Sequence, residues 1–404
     1  MKILSLLISF FLFQNAAFAV DLSRNLIFQS SKKEQDANEA RRGHLGRSFL
    51  PELSLTIGDE YLDVEDVPSK TQPYGYLEGK VNLYRAGKDQ LKSEIIELQS
   101  SIGIAKSNLI QRELQKKIRR ALIEITFNKE LLSILSKEKQ KNLSVKDQAS
   151  QKANSGLTTS TDILEFSIYD SEIEEKMRNL EFHIDALESK LTLLYGTDDS
   201  PIEYSSKFEI NQKQNFAQKK LNYDEHPEIL TYTLENRVFE KQRMIASNYW
   251  LPSVDLYAGH YKNFEVFNRD YQERTQSDAQ IIGVRVSFDL YDGGKSRTSS
   301  TSSLYLAESK KLMARYVKEE AELEFNRLKD ELHFTSKSIN SISSRLAKAS
   351  EYLNVVIREY RKGVKNSLDA LSALQRYYGF EKDLLKKKRD YEVIKIEIQA
   401  LLGE

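Results

Sequence analysis

The second half of this chain repeats the first, so any fold it adopts must accommodate one string of elements twice. Leu50-Pro51-Glu52-Leu53-Ser54-Leu55 returns as Leu251-Pro252-Ser253-Val254-Asp255-Leu256, an offset of about 201 positions. Leu83-Tyr84-Arg85-Ala86-Gly87-Lys88 returns as Leu290-Tyr291-Asp292-Gly293-Gly294-Lys295, an offset of about 207 that then persists. Ser155-Gly156-Leu157 with Asp162 matches Lys362-Gly363-Val364 with Asp369, and Leu194-Tyr195-Gly196 matches Leu401-Leu402-Gly403. The slip between the first two landmarks is a longer loop in the second copy.

Each copy reads as a short helix, two strands and two long helices. The first repeat covers 20–196, with strands over about 51–64 and 74–86 and helices over about 88–154 and 160–195. A polar stretch, 197–224, connects it to the second repeat, 225–404, with strands over about 251–264 and 279–292 and helices over about 295–361 and 367–403. Ahead of both, Lys2 is followed by an apolar run from Ile3 to Phe13 and then by Ala17-Phe18-Ala19. That order predicts a cleaved secretory signal peptide over 1–19. The run is too short for a helix that crosses a bilayer, which needs about 20 residues.

The strands alternate. Ile282, Val284, Val286, Phe288 and Leu290 fall on one face and Gly283, Arg285, Ser287 and Asp289 on the other. Leu53, Leu55 and Ile57 alternate with Ser54 and Thr56, and Val254, Leu256 and Ala258 with Ser253, Asp255 and Tyr257; Leu77, Val81 and Leu83 repeat the pattern more weakly. The strands have the length a tilted strand needs to cross a bilayer. Tyr61, Tyr74, Tyr76, Tyr84, Tyr249, Trp250, Tyr257, Tyr261 and Tyr291 crowd their ends, as in an interfacial girdle. Long polar loops are expected over 58–73 and 260–279, the first carrying the acidic run Asp59 to Asp66. Gly87 and Gly293-Gly294 mark the passage from strand to helix. Four strands cannot close a barrel, for which about eight is the smallest number. An open edge is not tolerated in lipid. Membrane strands in this chain therefore require several copies, and three would supply twelve.

The helices are built for coiled coils. From Lys295 to Arg361 there is neither proline nor glycine. Phe325, Leu328, Leu332, Thr335, Ile339, Ile342, Leu346, Ala349, Leu353, Val356 and Tyr360 step alternately by three and four, a heptad seam. Leu91, Ile95, Leu98, Ile102, Ala105 and Leu109 begin the matching seam in the first copy. Gly156 and Gly363 stand where each long helix must turn into the next, with Asp162 and Asp369 near the start of the returning helices.

Composition removes whole classes of function. Cysteine is absent, which excludes disulfides, thiolate metal sites, a cysteine nucleophile and a lipidated N-terminal cysteine. Lys+Arg and Asp+Glu are both 60, so no net field draws nucleic acid. Five histidines without paired spacing make no metal site, and no phosphate-binding glycine loop or Ser-His-Asp pattern is present, so neither an enzyme nor a cofactor is expected.

Tyr249-Trp250-Leu251-Pro252-Ser253, Phe288-Asp289-Leu290-Tyr291-Asp292-Gly293-Gly294 and Tyr360-Arg361-Lys362-Gly363 followed by Leu368-Asp369, in this order and duplicated, resemble the TolC-type outer-membrane efflux protein family. This family is the outer-membrane factor of tripartite export systems. The resemblance covers almost all of the chain after residue 19. It implies a membrane α+β fold: four transmembrane strands per protomer in a trimeric twelve-stranded barrel, continued by long coiled-coil helices as a periplasmic tunnel. It also implies a homotrimer in the outer membrane, a periplasmic adaptor and an inner-membrane pump as partners, and a passive exit duct for efflux or type I secretion. Asp162, Tyr360, Lys365 and Asp369 fall where the family constricts the tunnel tip. Two positions depart from the pattern: Lys365 stands where arginine is usual, and Ser372 where a further acid is often found. The alternative left open is a soluble periplasmic coiled-coil adaptor or structural protein, which leaves the alternating strands without a purpose.

Overall fold

The computed structural model describes residues 22–43, 50–64, 67–156, 160–196, 216, 219–268 and 273–403. The expected signal peptide and almost all of the connector lie outside them. The elements are α1 (Leu26–Gly43), β1 (Glu52–Val64), β2 (Val67–Arg85), α2 (Lys88–Asn154), α3 (Ser160–Tyr195), α4 (Pro227–Ser247), β3 (Ser253–Asn268), β4 (Glu273–Ser287), α5 (Lys295–Arg361) and α6 (Ser367–Leu402). The helices match in length between copies: α2 and α5 both have 67 residues, α3 and α6 both 36. The repeat offset therefore runs through the helical hairpins without insertion or deletion.

The described residues divide into two compact units, each drawn from both repeats: one from within 32–106 and 227–316, the other from within 22–31, 107–226 and 317–403. In the first, the strands form one antiparallel sheet in the order β1-β2-β3-β4. Cross-strand pairing assigns every residue to a face. Leu53 pairs with Gly79, Leu55 with Leu77, Ala258 with Ile282, and Leu256 with both Val81 and Val284. These residues share a face that nothing else among the described residues covers: Leu55 is 68% exposed and Ile282 82%. A row of isolated apolar side chains this open to water is not a soluble core but a surface awaiting another apolar phase.

The other face is polar and aromatic. Lys80 pairs with Asp255 at 3.0 Å, the Tyr261 hydroxyl donates to Glu78 at 2.6 Å, and the Arg285 guanidinium lies 4.6 Å from the Tyr257 ring. Tyr76 stacks on Tyr261 with ring centroids 5.0 Å apart. Glycines make room for the rings: a Cβ on Gly58 would lie 2.5 Å from Tyr74, and one on Gly283 2.7 Å from Tyr257. The expected girdle is therefore corrected. Strand periodicity puts Tyr74, Tyr76, Tyr257 and Tyr261 on the polar face. A register shift after Asn82 puts Tyr84 opposite Val254 on the apolar face, where exposed Tyr61 also lies toward its other end. About 13 residues along β2 separate the rows of these two tyrosines, about 43 Å of strand and about 30 Å of depth at a 45° tilt.

The loops expected over 58–73 and 260–279 are corrected as well. β1 runs to Val64 and β2 starts at Val67, while β3 runs to Asn268 and β4 starts at Glu273. Backbone hydrogen bonds continue an antiparallel ladder whether or not the side chains alternate. At the opposite end β4 stops at Ser287, short of the expected 292, and Asp292 takes over as a cap. Its carboxylate accepts from the Gly294 N–H at 3.0 Å and the Ser296 N–H at 2.8 Å. Around the helices of this unit, Ile95 and Ile102 of α2 are buried with Leu234 and Val238 of α4.

The second unit is helical. Of the predicted α5 seam, Phe325, Leu328, Thr335, Ile339, Ile342, Ala349, Leu353, Val356 and Tyr360 are buried, and Leu332 and Leu346 are half-buried. Burying a side chain of this size contributes about 1.5–3 kcal/mol, so the seam outweighs the unremarkable helix propensity of its polar residues. Its largest core joins Val145 and Ala149 of α2, Phe166 and Ile173 of α3, Val356 and Tyr360 of α5, and Ala370 and Leu374 of α6. Across this unit α2 meets α6 repeatedly. Lys382 reaches Glu138 at 2.9 Å, Arg389 reaches Glu124 at 3.7 Å, and Arg120 reaches Glu397 at 3.7 Å. Among the described residues no helix is long and apolar enough to cross a membrane.

Candidate functional site

The helix turns bring most of the sequence-selected residues into one neighbourhood. α2 ends beside Gly156 (φ +71) and α5 beside Gly363 (φ +78). The Gly363 N–H donates to the Tyr360 carbonyl and the Val364 N–H to the Glu359 carbonyl, closing the helix end. α6 restarts at once through a capping box. The Asn366 side chain accepts from the Asp369 N–H at 2.8 Å, and the Asp369 carboxylate lies 3.5 Å from the Asn366 N–H. Lys365 stands 3.8 Å from Asp369, both side chains 39% exposed, which leaves that pair largely screened by water.

Asp162 does something different. Its carboxylate accepts from the Ser367 hydroxyl at 2.5 Å, a contact from the first turn of α3 to the first turn of α6. Ser367 is buried, so this charge-assisted hydrogen bond is sheltered from solvent. Close by, the Lys152 ammonium donates to the Tyr360 carbonyl and sits 3.9 Å from the centroid of the Tyr360 ring. Burial pulls the Lys152 ammonium below the usual lysine range while the Asp162 charge pushes it back up. Burial raises the Tyr360 phenol, and Asp162 raises it further. Lys152 and Asp162 of the first repeat are thus tied to Tyr360 and Ser367 of the second. Arg361 adds a hydrogen bond to Gln148 at 3.2 Å. Tyr360 is buried, so its ring fills the joint between repeats and does not project freely.

Two members of this cluster, Lys152 and Ser367, were not selected from the sequence. Ser367 had a signal: Ser160-Thr161-Asp162 and Ser367-Leu368-Asp369 are one Ser-x-Asp triplet repeated. Lys152 had none, since the repeat offset places Glu359 at its position. Gly87, Gly293 and Gly294 all take positive φ at the strand-to-helix passages, with φ +69, +70 and +83. The residue matching Gly293 in the first copy is Ala86, buried and held at φ +55. Among the described residues no group of three or more His, Asp or Glu is placed to hold a metal ion.

The four-stranded sheet and the paired long helical hairpins make a fold shared with solved outer membrane channels. Residues 222–404 match the model of the outer membrane efflux protein family. The chain is similar to the outer membrane protein VceC of Vibrio cholerae, with a TM-score of 0.80 at 16% identity, covering 95% of this chain and 94% of that one. It is similar to the MtrE outer membrane channel of Neisseria gonorrhoeae in its open state, with a TM-score of 0.75 at 13% identity, covering 95% of this chain and 87% of that one. The alkaline protease secretion protein AprF of Pseudomonas aeruginosa is 27% identical over 187 residues, 43% of this chain and 36% of that protein. The matched region thus spans about a third of the length of that relative.

Proposed function

We propose that this protein is the outer-membrane exit duct of an export system, a passive channel and not an enzyme. The observation that carries this is the sheet. Among the described residues its apolar face is uncovered, and β1 and β4 each have a partner strand on one side only. Lipid satisfies the face, and only further copies of the same sheet satisfy the edges. Three copies give twelve strands, above the minimum for closure. The polar face, with Lys80, Asp255, Glu78 and Arg285, then lines the water-filled lumen. The resemblance supplies the remainder: a homotrimer in the outer membrane of a Gram-negative envelope, long helices as a periplasmic tunnel, and an adaptor with an inner-membrane pump docking at the tunnel tip. The relative named for alkaline protease secretion supports the secretion form of this reading.

Within that duct, Asp162, Lys365 and Asp369 constrict the tip, and the buried Tyr360 ring packs the joint behind them. The Asp162–Ser367 bond and the Lys152–Tyr360 contact hold the two hairpins of one protomer together. Acids repeated by symmetry around the axis make a ring that favours cations. Reconstitution into planar bilayers tests this. The wild type should show a small, cation-selective resting conductance, and Asp162→Ala should raise it several-fold. A protein that inserts and conducts equally with and without Asp162 reduces that residue to a helix-start acid. A protein that never conducts removes the duct.

A further inference from the structure

The equal helix lengths make the repeat offset a rule for converting contacts. In a ring of alternating repeats, each chain makes the first-to-second contact itself through α2 and α6. The second-to-first contact, α5 against α3, must be made with another copy. We propose that the α5 face carrying Phe334 and Arg345 docks on the α3 face of a second copy of this chain, with Phe334 against Phe182 of the partner subunit and Arg345 against Glu175 of the partner subunit. The inference rests on the duct reading for the existence of a ring and adds which side chains close it.

Two observed intrachain contacts generate the two pairs. Arg389 of α6 lies 4.7 Å from the Phe127 ring of α2, and Lys382 of α6 reaches Glu138 of α2 at 2.9 Å. Moved by the repeat offset, Phe127 becomes Phe334 and Arg389 becomes Phe182; Glu138 becomes Arg345 and Lys382 becomes Glu175. The first contact turns from a cation over a ring into a ring on a ring. The second keeps its attraction with both signs reversed. Two independent changes, each leaving a favourable pair, are what an interface demands and what a free helix surface does not.

Exposure agrees. Phe182 is 71% exposed and Phe334 67%, large aromatics on otherwise charged helices. Arg345 and Glu175 are exposed too, whereas Glu138 of the intrachain pair is fully buried and also accepts from the Tyr169 hydroxyl. Phe334 and Arg345 are eleven positions apart, about three helical turns, so they share one face. The reversed charges also bar the wrong pairing: two first repeats would set Glu138 against Glu175, two second repeats Arg345 against Lys382.

The chain has no cysteine, so introduced thiols report without background. Phe182→Cys with Phe334→Cys, treated in mild detergent with a short thiol-to-thiol cross-linker, should run as a covalent trimer on a denaturing gel, and each single variant as a monomer. Arg345→Glu should lower the fraction of detergent-stable trimer, and adding Glu175→Arg should restore it. Monomer only from the cysteine pair, in a protein that is otherwise a stable trimer, overturns the docking and leaves the duct. Loss on Arg345→Glu without restoration overturns the charge pair. An unmodified protein that never forms a trimer overturns the docking and the duct together.

Discussion

Asp162 and Asp369 occupy the same position in two copies of one hairpin, yet they do different work. Asp162 reaches out of its own repeat to Ser367, while Asp369 turns back on its own helix start to complete a capping box with Asn366. A second matched pair diverges further. In the first copy Glu174 is held below the usual carboxylate range, chiefly by its hydrogen bond to Lys139 at 2.6 Å. Its counterpart Glu381 is pushed above that range, first by burial, and one of its oxygens has no hydrogen-bond partner among the described residues. Duplication delivers the same acid to the same place on a helix, and the packing around it assigns the role. The difference teaches that the two copies are asymmetric within a protomer, so that equivalent substitutions in them should not be equivalent in effect.

The largest contrast should come from the acids at the turns. Asp162→Ala removes a bond between repeats, and single-channel recording should show resting conductance rising several-fold, well above the change in Asp369→Ala. Ser367→Ala should reproduce the Asp162 effect, since it removes the other end of the same bond. Equal conductance changes from Asp162 and Asp369 would break the comparison. Asp369→Ala should instead register in thermal melts, as a loss of about 1 kcal/mol from the capping box. The strand-to-helix passages give the next contrast. Gly293→Ala forces a Cβ into a left-handed conformation and should cost about 1 kcal/mol, whereas Ala86→Gly should change stability by less than about half of that. There the strain relieved and the methyl burial lost oppose each other.

The smallest contrast is in pH dependence, and its sign differs between copies. Glu381 binds its proton more tightly folded than unfolded, so its contribution falls as pH rises from the ordinary carboxylate range through its raised value. Glu174 binds its proton more weakly folded, so its contribution is present above the ordinary carboxylate range and is lost as pH falls. Glu381→Gln should therefore raise the melting temperature of the detergent-solubilised protein at pH 7 more than at pH 4. Glu174→Gln should lower it slightly at pH 7 and by less at pH 4. Parallel shifts in both variants would show that the two environments are alike.

Much of this architecture was legible because it depends on periodicity. The step of three and four from Phe325 to Tyr360 becomes the buried line of α5, and the period-two set Ile282, Val284 and Val286 becomes the uncovered sheet face. What the pattern missed depends on the backbone or on distance in the chain. The strands extend through segments without alternation, because ladder hydrogen bonds ignore side-chain type. Tyr74, Tyr76, Tyr257 and Tyr261 were grouped by residue type, and their face was set by parity. At the turns, Asp162, Tyr360 and Asp369 could be selected by position alone. The repeated Ser-x-Asp triplet marks Ser367, but its pairing with Asp162, and that of Lys152 with Tyr360, emerge only when residues about 200 positions apart are folded together.

The central claim is that this sheet is one part of a barrel completed by other copies in lipid. Sedimentation of the mature protein extracted in mild detergent, with the detergent contribution matched out, measures this most directly. The account predicts a protein mass three times that of one chain, with aggregation once detergent is removed. A monodisperse monomer that stays in solution without detergent would contradict it, because the apolar face would then need neither lipid nor neighbours.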